Sequence, residues 1–351
     1  MTVYVNGRFL EHPITGTQRY ALEITRRLLE TERDVVLLLP SGTPVPAGVD
    51  PARCRTLPLR GMAFEQVTLP LVTAGRMLLS LGGPAPVLKR KQLVVMHDAT
   101  PFRWPGTFSK GFVAWYRLMY GVLTRTARHL VTVSRFSATE LGDVFGIPAR
   151  RFHVVPCAVD HLQAYGAGER PANLPAAVTR YALMLGTLAR HKNVVPVAKA
   201  VAEAGTDLVI VGKLGGDRVF SDPGDLGLPA NAHLVGRLTD AEIVWLYRNA
   251  TVFVFPSYYE GFGIPAIEAQ LEGCPVVASS AASIPEVLAG SADLFDPDDP
   301  AAAAQLVKAV VSEDDEARLV RVAAGLRNAA RFSWADSARE IMTVVRRGRA
   351  R

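Results

Sequence analysis

Glu260 and Glu268, separated by seven residues, frame the part of this chain best suited to chemistry. The run Val252-Phe253-Val254-Phe255-Pro256 reads as a strand that stops at its proline. Gly261 and Gly263 then make a turn, and Pro265 suits the first turn of a helix. Strand, loop and helix N-terminus in that order let the backbone amides from Phe262 to Ile264 cradle a phosphate, because glycine permits close backbone approach. Carboxylates beside an anion site repel it, so they need another partner. Hydroxyl groups supply one: Glu260 would face a sugar next to the phosphate, and Glu268 a ribose on its other side. The ligand so described is a nucleoside diphosphate sugar. A capped helix with Glu268 complementing its dipole is the competing reading, and residue types alone leave both open.

Such residues need a scaffold that collects loops at one edge. Short Val- and Leu-rich runs recur at Val3–Asn6, Val35–Leu39, Leu93–Met96, Leu130–Val133 and His153–Val155, separated by helix-length amphipathic stretches. A second series follows at Ala182–Gly186, Leu208–Gly212, His233–Val235, Thr251–Phe255 and Val276–Ala278. Buried parallel strands joined by helices read this way. The Gly- and Pro-containing stretch from Tyr165 to Pro175 reads as the joint between two α/β domains. The expected boundaries are 1–168, 176–334 and a C-terminal helix with a basic tail, 335–351, that reaches back to the first domain.

Composition excludes several classes. The 351 residues are 49% hydrophobic and 21% charged, enough for a sizeable core and too apolar for a disordered chain. Val67–Leu88, the most apolar long stretch, is broken by seven Gly, Pro and Arg residues and does not read as a membrane span. Met1–Arg8 lacks the apolar core of a secretory signal, so a cytoplasmic protein is expected. Cys54, Cys157 and Cys274 are isolated and read as reduced thiols, not as a metal site. Charge is uneven: residues 1–170 hold 21 Lys and Arg against 12 Asp and Glu, a net +9, and the remainder 18 against 21, a net −3.

The Glu260–Glu268 segment resembles the signature of retaining glycosyltransferases of family 4. The likeness continues in Pro256-Ser257, Gly273 to Ser279, Ile284-Pro285-Glu286-Val287, Gly186 to Asn193, Val235-Gly236-Arg237-Leu238, Tyr247 to Ala250 and Phe332-Ser333-Trp334. In the first half it is carried by Pro13–Tyr20, His97-Asp98-Ala99-Thr100-Pro101 and Val133–Ser137. The resemblance implies the α/β GT-B fold, two facing Rossmann-like domains with doubly wound parallel sheets and a C-terminal helix crossing back to the first. It also implies transfer of a hexose from a nucleotide sugar to a glycan or lipid-diphosphate acceptor, with no cofactor and no metal. Phe64-Glu65-Gln66 and the His97 motif look most like mannosyl- and rhamnosyltransferases of bacterial surface polysaccharides, which puts GDP-mannose first as donor and leaves UDP- and dTDP-sugars open.

Roles follow from the same resemblance. Glu260 and His97 are the expected catalytic residues. Gly16, Arg190, Lys192, Gly261, Phe262, Gly263 and Ile264 are expected at the donor diphosphate, and Arg237, Leu238 and Glu268 at the nucleoside. Thr187 stands where several relatives carry a second diphosphate-binding arginine, and Arg190, Lys213 or Arg237 could replace it. Asp296-Pro297-Asp298 reads as a polar turn that opens a helix near Pro300, not as a metal site. A non-catalytic sugar-nucleotide binder would share the fold, but it would not be expected to keep Glu260, Glu268, Lys192 and His97 together. Nucleic acid is not an expected partner, because the basic residues are scattered and no binding module is present. Contact with an anionic membrane through Trp104, Phe108, Phe112, Trp115 and Tyr116 near Arg103, Lys110 and Arg117 competes with ordinary helix core as a reading of that stretch.

Overall fold

Apolar runs of three to five residues, bounded by glycines, prolines and helix caps, form thirteen strands among the described residues. The computed structural model of the chain describes residues 2–187, 189–212 and 227–347. Lys213 and the last four residues of the basic tail lie outside that set. The chain divides into two compact units, Met1–Ala158 with Ser333–Arg351, and Val159–Phe332.

The first unit holds a seven-stranded parallel sheet: β1 (Val3–Asn6), β2 (Val35–Leu39), β3 (Cys54–Thr56), β4 (Met77–Ser80), β5 (Gln92–Val95), β6 (His129–Thr132) and β7 (Phe152–Val154). They lie in the order β3-β2-β1-β4-β5-β6-β7. The second unit holds a six-stranded parallel sheet: β8 (Ala182–Leu185), β9 (Leu208–Val211), β10 (Ala232–Gly236), β11 (Val252–Phe255), β12 (Val276–Ser279) and β13 (Asp293–Phe295), in the order β10-β9-β8-β11-β12-β13. Both are doubly wound, with the order reversing between β1 and β4 and between β8 and β11. Helices cover both faces, which is why the inner strands are apolar throughout. In the second unit the helices Val194–Glu203 and Pro300–Val311 pack together over a core that includes Val197, Val201, Ile210, Val254 and Val307.

β4 was not read as a strand in the sequence. It lies within the interrupted stretch Val67–Leu88, where the same glycines and prolines that rule out a membrane span bound a four-residue strand buried between β1 and β5. β3 is a short, largely exposed edge strand with no apolar pattern to announce it. The division between units falls at Ala158 and not at 168, because the turn Asp160–Tyr165 packs on the helix Asp240–Asn249, with Tyr165 Oη donating to Asp240 Oδ2 at 3.0 Å.

The C-terminal helix Trp334–Arg347 belongs to the first unit, packed on the helix Gly16–Thr31. Trp334 is fully buried with its ring 5.9 Å from that of Tyr20. Ser337 Oγ donates to the Pro156 carbonyl at 2.8 Å, and Arg346 Nη2 lies 2.7 Å from both carboxylate oxygens of Glu32. Divided by these units, the charge is more polarised than the sequence halves suggest. The first unit carries 25 Lys and Arg against 12 Asp and Glu, a net +13, and the second 14 against 21, a net −7.

At the opening of β6, His129 is buried with its Nε2 lacking a hydrogen-bond partner among the described residues. Burial, and then the charges of Arg128, His153 and Arg151, push it down to about 4 from an ordinary value near 6.5. His153, its ring 6.4 Å away, is lowered as well, mainly by burial; Glu340 opposes that shift, and Arg347 and Arg151 add to it. The folded state therefore favours neutral His129, and this contribution to stability is complete above pH 6.5 and lost as pH falls toward 4. A His129→Gln variant should show a shallower fall in Tm than the parent chain between pH 6.5 and 4, measured by calorimetry.

Candidate functional site

Reversal of strand order between β8 and β11 parts the loops that leave their carboxyl ends, and such a crevice is where open α/β sheets bind ligands. After β8 the chain passes Thr187, which is exposed, and enters the turn Arg190–Lys192. Asn193 then adopts a left-handed conformation (φ 52°) and its Nδ2 donates to the Pro297 carbonyl at 2.7 Å. This fixes the turn and aims Lys192 across the crevice. After β11, Ser257 is buried and Glu260 sits at the loop's apex, its side chain 12% exposed.

The two loops meet. Lys192 Nζ lies 2.7 Å from Glu260 Oε1, and Ser257 Oγ donates to the same oxygen at 2.7 Å. Ser283 Oγ donates to the Glu260 carbonyl at 2.9 Å, and Ser279 Oγ to the Ser257 carbonyl at 2.5 Å. Glu260 is thus held at both its side chain and its backbone. Both donors to its carboxylate converge on Oε1, and no protein donor meets Oε2 among the described residues.

Beyond Glu260 the loop Gly261-Phe262-Gly263 is buried and runs into the helix Ile264–Leu271. Phe262 anchors it edge-on to Phe332, ring centroids 5.2 Å apart. Gly263 caps the helix in a left-handed conformation (φ 97°), and a Cβ there would lie 3.1 Å from the Phe255 ring. No side chain caps this helix, and the amides of Phe262, Gly263 and Ile264 meet no protein acceptor among the described residues. They open the helix directly after Glu260, the partner of Lys192, and free N–H groups at a helix start can receive an anion.

Glu268 sits one turn into that helix. Tyr247 Oη donates to its Oε2 at 3.1 Å, and His161 Nε2 lies 3.9 Å from its Oε1. Burial, and then the Glu268 charge, push the Tyr247 hydroxyl well above its ordinary value, so it remains a donor. Tyr247 belongs to a segment the sequence marked, but this role is not written there. His161 gave no signal in sequence, because nothing in the turn Asp160–Tyr165 announces that it reaches Glu268.

Other expected residues are placed less closely. Arg190 shares the turn with Lys192 and is exposed. Arg237 and Leu238 follow β10 at the sheet's far edge, with no contact among the described residues joining them to Lys192 or Glu260. Asp296 and Asp298 form the polar turn expected of them. Asp296 Oδ1 accepts from the Asp298 amide at 2.9 Å, and Tyr258 Oη donates to Asp298 at 2.8 Å. Asp299 caps the helix Pro300–Val311.

In the first unit, Gly16 opens the helix Gly16–Thr31 and is exposed. His97 follows β5, and its Nε2 lies 2.9 Å from the Leu81 carbonyl, an acceptor only, so Nε2 carries the proton and Nδ1 is left as an acceptor. Burial lowers its pKa, and the imidazole is neutral at pH 7. Tyr20 packs edge-on to the ring at 5.0 Å and donates through Oη to the Val155 carbonyl at 3.3 Å. Asp98 precedes the short helix Thr100–Arg103, and its Oδ1 accepts from the Thr100 amide at 2.8 Å.

Residues 14–162 match the family model described as Glycosyltransferase Family 4, and residues 169–327 that of glycosyl transferases group 1. The chain is 28% identical to O-antigen chain mannosyltransferase B of Escherichia coli, with 93% of this chain and 94% of that protein covered. It is 30% identical to an MMP alpha-(1->4)-mannosyltransferase of Mycolicibacterium hassiacum, over 68% of this chain and 59% of that protein. Sucrose-phosphate synthase from Thermosynechococcus elongatus shares the fold, with a TM-score of 0.73 over 100% of both chains at 18% identity.

Gly263 is the position where the cradle depends on a missing side chain. A Gly263→Ala substitution should destabilise the chain by about 1–2 kcal/mol in chemical denaturation, since it puts a Cβ on a left-handed backbone against an aromatic ring.

Proposed function

The chain is a family 4 glycosyltransferase of the GT-B type, and from that premise we propose that it moves a hexose, with retention and without a metal ion, from a nucleoside diphosphate sugar to a hydroxyl of a glycan or lipid-linked acceptor. What carries this is the geometry at the β8/β11 reversal, where Lys192 Nζ, Glu260 Oε1 and Ser257 Oγ meet at 2.7 Å beside the amides of Phe262 to Ile264. A cation and backbone dipoles fit a diphosphate, and a carboxylate with one oxygen unmet by a protein donor among the described residues fits hydroxyl groups on the adjoining sugar.

In this mechanism Lys192 and the amides hold the diphosphate, and they hold it more tightly as the bond from the anomeric carbon to its oxygen breaks and charge gathers there. The acceptor oxygen bonds to that carbon on the face the diphosphate leaves, and its proton passes to the departing diphosphate oxygen. Glu260 accepts from the hexose hydroxyls. Glu268, already oriented by Tyr247, accepts from the ribose. His97, neutral, offers Nδ1 to a sugar hydroxyl as a hydrogen-bond acceptor and not as a charge. With the leaving group's charge met by Lys192 and by dipoles, no metal is required.

Relatives named as mannosyltransferases support mannose as the transferred sugar, and our reading keeps GDP-mannose as the first donor, ahead of UDP- and dTDP-sugars. The net +13 of the first unit suits an acceptor carried on a diphosphate lipid, and with it peripheral contact at an anionic membrane surface. No described helix is long and apolar enough to cross a membrane.

Among GDP, UDP, dTDP and ADP, GDP should raise Tm most in a thermal-shift panel, and EDTA should leave transfer from GDP-mannose unchanged. Glu260→Gln, which keeps partners for Lys192 and Ser257, should lower kcat by roughly 10²- to 10³-fold with Tm held. Transfer at the parent rate by this variant, or no response to any nucleotide, would sink the proposal.

A further inference from the structure

Ser109, Ser134, Thr239, Asp299 and Asp314 each cap the helix that follows, the side-chain oxygen accepting from a backbone amide of its first turn. Ser283 stands at the start of the short helix Ile284–Leu288 and does not cap it. Its backbone is helical (φ −78°, ψ −8°), where a capping residue is ordinarily extended. The hydroxyl leaves the helix altogether: Ser283 is fully buried, and its Oγ donates to the Glu260 carbonyl at 2.9 Å.

The preceding residue accounts for this departure. Ala282 lies in the left-handed region (φ 56°), which a residue with a Cβ enters at a cost that glycine does not meet. The Ile284 amide donates to the Ala281 carbonyl at 3.2 Å, so the chain turns tightly about Ala282 and Ser283. Such strain persists only where the surroundings over-determine it. Here the turn delivers a buried hydroxyl to the residue that carries the carboxylate of the site.

The same loop grips at a second point. Ser279 ends β12, is fully buried, and donates through Oγ to the Ser257 carbonyl. β11 and β12 pair through Phe255 and Ala278, so the loops that leave them run side by side. The loop Ser279–Ser283 thereby holds the carbonyls at both ends of the segment Ser257–Glu260, and Ser257 Oγ donates in turn to Glu260 Oε1. Ser279 and Ser283 expose no surface through which to touch a substrate, so any effect they have on one passes through Glu260.

We propose that Ser283 is a positioning residue for hexose transfer, its hydroxyl turned by the left-handed Ala282 onto the Glu260 backbone so that the carboxylate meets the sugar in register. This rests on the transferase reading above, in which Glu260 accepts from the hexose hydroxyls. A misplacement of about 1 Å at the reacting centre can cost about 10²-fold in rate. Lys192 and the amides after Glu260 hold the diphosphate, so loss of the Ser283 hydroxyl acts on turnover more than on nucleotide binding.

Steady-state kinetics with GDP-mannose, or with whichever UDP- or dTDP-sugar the parent chain uses, tests this. Ser283→Ala should lower kcat by about tenfold or more, with donor KM within about twofold and the nucleotide-induced rise in Tm unchanged. Ser283→Thr, which returns the hydroxyl, should recover kcat to within about threefold. Ser283→Cys, close in size and a weaker donor, should fall between them and serves if the alanine variant does not fold. In the Glu260→Gln background the Ser283→Ala change should cost less than about twofold, because the carboxylate it positions is already gone. Tyr181→Phe removes another buried bond of the same unit, from Oη to the Leu246 carbonyl at 2.9 Å, and should lower Tm with kcat unchanged. A parent kcat in Ser283→Ala, an equal loss in both backgrounds, or the same loss in Tyr181→Phe would overturn the inference and leave the transferase reading standing. A parent chain that transfers from no nucleotide sugar would overturn that reading, and this inference with it.

Discussion

Every strand in both sheets runs in the same direction as its neighbours, so within each unit all strands deliver their following loops to one edge. A parallel sheet cannot do otherwise, because each crossover must return the chain to the starting edge before the next strand begins. Where the order then reverses, two loops that would have been covered by a single crossover are left side by side with a gap between them. The Lys192–Glu260 contact in one unit and the Arg8–Glu65 contact in the other stand at these two gaps. Each joins residues far apart in sequence, and each sets a carboxylate against a cation. The resemblance ends there. Among the described residues Glu260 keeps an oxygen that no protein donor meets, beside a helix N-terminus, whereas Glu65 is sealed in and balanced by its arginine.

That difference decides what each gap can bind. Backbone dipoles add positive potential at the β8/β11 gap without adding a side chain, so an anion is favoured there even though its unit carries a net −7. The β1/β4 gap has no such excess even though its unit carries a net +13. Net charge therefore describes each unit as a whole, and local dipoles and pairings describe the potential at each gap. His97 fits the same pattern: the Leu81 carbonyl fixes its proton on Nε2, and burial keeps it neutral, so it contributes a lone pair to its surroundings and no charge.

Much of the fold was legible because buried parallel strands are written as short continuous apolar runs, and ten of the thirteen strands announce themselves in this way, while β13 (Asp293–Phe295) is a mixed three-residue run before a polar turn. β4 and β3 did not, one hidden among glycines and prolines and the other too exposed to need apolar residues. At the site, Glu260, Glu268 and the glycines were legible because a strand, a turn and a helix start are local patterns. The partners that tune them were not. Ser257 and Lys192 were visible as residues, but their shared claim on one oxygen of Glu260 arises only when β8 and β11 pair, and His161 reaches Glu268 from a turn with no signature of its own. Trp115, Phe112 and Tyr116 illustrate the same limit. Aromatic residues along a helix could be core or a membrane surface, and the structure sets these three on a cavity that neither reading includes.

The position of the C-terminal helix has a consequence for how the chain comes to be folded. Trp334, Ile341 and Val345 are buried in the first unit, yet they are the last of its residues to be synthesised. A ribosome releases the whole of the second unit, Val159–Phe332, before the piece that completes the first has been made. The usual order of synthesis, in which the N-terminal domain is finished while the next is being made, is inverted here. The first unit waits with the surface of Tyr20 and its helix uncovered until Trp334–Arg347 has been made, and a chain lacking that helix would join an intact second unit to a first that cannot close.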